Sequence, residues 1–135
     1  MNGITTVLII GLFALAGGCA TAGVPLSSPP GTPSGAVRHN EEGIQHYKMG
    51  HWGLAKTHFE AAVQSNPPFA EAHYNLGLAL DQLGDHPGAS SHFKHAGELA
   101  PNNPAITQSD VYQYHVGAGP RPGVDPVHRP ILGGY

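Results

Sequence analysis

The sequence predicts an all-α fold: two helix hairpins followed by a C-terminal capping helix. Two observations carry that prediction. Displaced by 34 positions, the stretch 36–69 falls on 70–103 with Ala36/Ala70, His39/His73, Gly43/Gly77, Gly50/Gly84, Ala55/Ala89, His58/His92, Phe59/Phe93, Ala62/Ala96 and Pro67/Pro101 coinciding. A fixed period of this length marks a supersecondary unit repeated in tandem. Glycine and proline also fall where such a unit must turn, and most of the remaining Gly 19 and Pro 13 of the 135 residues lie outside this stretch. A helical core between two loose ends is the organisation that follows.

The chain opens on an apolar run, residues 4–16 (ITTVLIIGLFALA), with no charged side chain before Arg38. The run is shorter than the ~20 residues that span a bilayer, so 1–18 reads as a signal peptide. It ends at Leu15-Ala16-Gly17-Gly18-Cys19, which resembles the lipobox of bacterial lipoproteins. That resemblance implies a lipidated Cys19 and, with no aspartate after the cysteine, an outer-membrane anchor facing the periplasm. Ala20-Thr21-Ala22 offers a rival cut that would release a soluble periplasmic protein. Residues 19–37 then read as the modified cysteine and a Pro/Ser/Gly tether, too polar and too proline-rich to fold.

The helical domain is expected over 38–116. The first hairpin is predicted at 38–49 and 53–65, the second at 71–83 and 87–100. Gly43, Ala55, Gly77 and Ala89 are small where paired helices approach, and Phe59 and Phe93 fill the space beside them. Gly50 and Gly84 stand where a left-handed residue closes the first helix of each hairpin. Pro87 suits a first helical turn, and Pro67 and Pro101 stop the second helices. Asn103-Pro104 starts the capping segment 104–116, a single helix over 105–115 with Ile106, Val111, Tyr112 and Tyr114 as its apolar members. Residues 117–135 form a Pro/Gly-rich tail.

The stretch 73–103 (HYNLGLALDQLGDHPGASSHFKHAGELAPNN) resembles a tetratricopeptide repeat, and 39–67 resembles it more loosely. The resemblance implies an α-solenoid fragment whose concave groove comes from the first helix of each hairpin. Carried over by register, that groove shows Asn40, Ile44, Tyr47 and Lys48, then Glu71, Tyr74, Asn75, Leu78 and Asp81. It implies a non-enzymatic adaptor docking a peptide or helix of a cell-envelope partner, with Asn75 where the family often places an asparagine that binds ligand backbone. Lys48 is the one basic residue in the set, so a carboxylate clamp is not expected. The apolar members suit an apolar or aromatic peptide. Two repeats fall short of the ~3 that bury a continuous core, so a partner, a second copy or the tail is expected to finish the array.

Six Lys and Arg residues form no basic stripe, which argues against nucleic acid. The single cysteine lies in the export signal, so the domain has no thiol nucleophile, and Ser90-Ser91 sits on no nucleophile elbow. No catalytic residue and no cofactor are expected. Ten histidines are the unusual entry in the composition. His92 and His95 lie three apart with His58 one repeat earlier, and His39, Glu42 and His46 share a helix face. Without an HExxH or a cysteine ligand, no metal site is expected, and His39 and His73 read as packing residues. A histidine-rich, metal- or pH-responsive periplasmic protein is the rival reading, since acid would turn the formal charge of −3 positive.

Overall fold

The computed structural model describes residues 23–117, and every regular element among them is helical. The order is α1 (Ser34–Lys48), α2 (Trp52–Ser65), α3 (Ala70–Gln82), α4 (His86–Leu99), α5 (Pro104–Thr107) and α6 (Asp110–Val116). The expected signal peptide 1–18, Cys19 and the tail beyond Gly117 lie outside the described residues. Helices α1 and α2 form one antiparallel hairpin, α3 and α4 the next, and α2 joins them by packing on α3. This is an α-solenoid fragment, and none of its described helices is long and apolar enough to cross a membrane.

The repeated residues act as their spacing predicts. Gly50 and Gly84 take φ of 76° and 84°. Their amides return to Tyr47 O and Asp81 O, and the next amides, His51 and Asp85, return to His46 O and Leu80 O. Each first helix is therefore closed by the same pair of bonds around a left-handed glycine. Gly43 and Gly77 serve a close approach: a Cβ there would stand 2.6 Å and 2.9 Å from the rings of Phe59 and Phe93. Both rings are fully buried, each contributing about 1.5–3 kcal/mol by leaving water.

The C-terminal cap differs from the single helix predicted. Asn103 accepts from Ala105 N at 3.1 Å and starts the short α5, which buries Ile106. Ser109 then accepts from Tyr112 N at 3.3 Å and starts α6 afresh. Two capping side chains six residues apart satisfy two sets of orphan amides, so the chain breaks between them. The break lets α6 fold down onto α4, with the Tyr112 ring against Gly97.

The largest correction concerns the tether. Residues 34–37 belong to α1, because Pro33 O accepts the first helical bond from Val37 N and Ala36 is buried with Ala62, Phe69 and Ala72. Before them Pro29-Pro30-Gly31-Thr32 makes a turn, with Gly31 at φ 87° and Thr32 N bonded to Pro29 O. Residues 23–28 form no helix or strand but lie against the domain and pack Leu26 onto the hydrophobic core. A segment too polar to fold by itself is held because the domain supplies its hydrogen-bond partners.

Candidate functional site

Helices α1 and α3 touch each other, and their repeat register brings Asn40 and Asn75 together. Both asparagines are fully buried. Asn75 Nδ2 donates to Asn40 Oδ1 at 2.9 Å and to Leu26 O at 2.8 Å, while its Oδ1 accepts from Leu26 N at 2.7 Å. Asn40 Nδ2 donates to Leu26 O at 3.1 Å and to Ser28 Oγ at 3.2 Å. Every donor and acceptor group of the two amides is engaged. The pair grips the main chain of Leu26 at both its N–H and its C=O. Ser28 N adds a longer bond to Glu41 Oε1 at 3.4 Å.

Tyr74 and Leu78 continue the same face, where Gly23 lies against both and against Val111 of α6. Burial pushes the Tyr74 phenol up, against a hydrogen bond from Ser109 that favours its ionised form. Ile44 and Tyr47 are buried in the core, with the Tyr47 ring edge-on to Trp52 at 4.9 Å. The Tyr47 hydroxyl is buried with no hydrogen-bond partner, and burial together with the Asp81 charge drives its pKa far up. Lys48 is exposed, and Glu71 accepts from Asn103 Nδ2. Asp81 faces α6, accepting from His115 Nε2 at 3.0 Å and from His86 Nδ1 at 2.9 Å. The structure thus unites Asn40, Tyr74, Asn75 and Leu78 around the extended segment, and leaves Lys48 and Asp81 away from it.

Residues 40–104 match the tetratricopeptide repeat family model. The protein is a tetratricopeptide repeat protein. Such domains typically act as non-enzymatic modules for interaction with other proteins. No curated protein matches the chain in sequence. Within this tetratricopeptide domain the sequence reading missed Leu26, Ser28, Glu41, Val111 and His115. The 34-residue match that begins at Ala36, inside the expected tether, signals the early start of α1 but not Leu26 or Ser28.

The histidines gather in clusters on the tetratricopeptide hairpins. His39 and Glu42 of α1 meet His58 of α2, whose Nδ1 is 3.1 Å from Glu42 Oε2. His46 stacks on His58 at 5.1 Å. One repeat later His73 and His92 stand Nδ1 to Nδ1 at 3.1 Å, with the His95 ring 4.4 Å from that of His73. His73 Nε2 donates to Pro67 O at 2.9 Å. Burial lowers the pKa of His73 and of His92, and neighbouring histidines lower both further. The third cluster is Asp81, His86 and His115. Burial alone would raise the Asp81 carboxyl, but the hydrogen bonds from His115 and His86 outweigh it and hold the group below its usual range.

Proposed function

We propose that this tetratricopeptide protein is a non-enzymatic docking module whose concave groove receives an extended peptide, and that its own segment 23–28 is the resident occupant. The observation that carries the reading is the two-point hold of Asn75 on the Leu26 main chain, at 2.7 Å and 2.8 Å. A groove that grips main chain and offers an apolar seat for one side chain accepts other extended segments with an aliphatic residue at the Leu26 place. A partner segment from another envelope protein then competes with the protein's own strap. The strap lowers the apparent affinity for that partner by the fraction of chains in which the groove is closed.

The lipobox at Cys19 supports a membrane-anchored form, and the strap changes what that anchor means. Three residues separate Cys19 from Gly23, and the four steps between them span at most about 14 Å of extended chain. With the strap seated, the domain stands close to the bilayer; release lengthens the leash by the strap itself. The test uses a fluorescent peptide of residues 23–33 and the full chain in detergent. Leu26→Asp should free the groove and bind the peptide saturably, wild type should bind it far more weakly, and Asn75→Ala added to Leu26→Asp should abolish binding. Absence of saturable binding to the Leu26→Asp chain rejects the proposal.

A further inference from the structure

The geometry points to a divalent transition-metal site, of the zinc type, formed by Asp81, His86 and His115. The three ligands come from three elements: the last turn of α3, the first residue of α4, and α6. Their donor atoms lie within 4.8 Å of one another, with Asp81 Oδ1 at 2.9 Å from His86 Nδ1 and 3.0 Å from His115 Nε2. Tetrahedral zinc with bonds of 2.0–2.2 Å holds neighbouring ligand atoms ~3.3 Å apart, so each histidine nitrogen needs to move only a few tenths of an ångström from Asp81 Oδ1. The two imidazoles are stacked, with ring centroids 6.0 Å apart.

The outer contacts suit the same ion. His115 is 3% exposed in its side chain, and its second nitrogen, Nδ1, stands 2.9 Å from Ser90 Oγ. Moving the His115 proton from Nε2 to Nδ1 frees the ligand nitrogen and turns that contact into a donation to the hydroxyl, the kind of second contact that orients metal-bound histidine. Asp81 is ionised, and it sits at the C-terminal end of α3, where the helix dipole favours a cation. No local motif contains this set, because its outer members stand 34 positions apart and the three lie on three helices. Its consequence is a pin that fixes α6 to the end of the groove.

The test titrates Zn²⁺ into the chelator-treated full-length chain in detergent, reading binding by calorimetry and the exchange of the α6 amides. Wild type should bind saturably and slow exchange at 112–116. His86→Asn, at a half-exposed position, should weaken binding by more than ~100-fold, and Ser90→Ala by ~10–100-fold. His58→Gln, which removes the other three-ligand cluster, should leave this binding unchanged. No saturable binding, or binding that survives His86→Asn and Ser90→Ala but is lost in His58→Gln, overturns the site.

Discussion

Replacing Asn75 with alanine removes three hydrogen bonds in one step: Leu26 N to Oδ1 at 2.7 Å, Nδ2 to Leu26 O at 2.8 Å and Nδ2 to Asn40 Oδ1 at 2.9 Å. At about 1 kcal/mol net for each bond the loss is about 3 kcal/mol. Leu26 O keeps its bond from Asn40 Nδ2, but Leu26 N–H and Asn40 Oδ1 are left buried without partners. Water reaches both as soon as the strap lifts, which costs less than opening the helical core. The damage should therefore concentrate in the strap. Its open population should rise by roughly two orders of magnitude, since each 1.36 kcal/mol is a factor of ten. Amide hydrogen exchange reads this residue by residue. The Leu26 amide should lose about a hundredfold protection in Asn75→Ala, while amides around the buried Phe93 change far less. If Leu26 exchanges as in wild type, the asparagine does not hold the strap. If Leu26 and Phe93 accelerate together, Asn75 is a core residue of the whole domain and the strap is not a separable unit.

Gly43→Ala and Gly77→Ala each press a methyl group onto a buried ring, at 2.6 Å and 2.9 Å respectively. Both should destabilise by about 1–3 kcal/mol, Gly43→Ala more than Gly77→Ala, as read from urea midpoints. Acid should weaken the fold earlier than carboxylates alone would predict. His73 and His92 titrate below 6.5 when folded, so the unfolded chain binds more protons once the pH drops under that value. Their contribution is complete above about pH 6.5 and is lost as the pH falls through their folded values. The urea midpoint should decline over that range, and His92→Gln should flatten the decline.

The hairpins were legible in the sequence because their determinants are local or repeat at a fixed interval. A left-handed glycine, a small residue opposite a phenylalanine and a proline after a helix are each readable within one repeat. The groove residues Asn40, Tyr74, Asn75 and Leu78 were legible by register, since two copies of a unit present equivalent faces. What the sequence hid is what fills that face. Residues 23–28 have neither helical period nor enough apolar area to order themselves, and composition assigned them to a tether. Their partners are side chains 12 to 49 positions away, a separation that no window along the chain spans. The broken cap was hidden for a smaller reason. Thr107 and Ser109 suit a helix interior or a cap, and the choice fell to whether α6 could reach α4.

By itself, then, the sequence determined two tetratricopeptide hairpins, their turns, their close-packed pairs and, by register, the face that α1 and α3 share. Tertiary structure alone decided that this side is already occupied, and that nine histidines meet one another or the carboxylates Glu42 and Asp81 across helices. The physical reason is the same in both cases. Helix formation and hairpin packing depend on neighbours at fixed spacing, which a linear pattern records. Hydrogen bonds to an extended strap and the convergence of three ligands depend on distances between elements, which exist only after the hairpins have stacked.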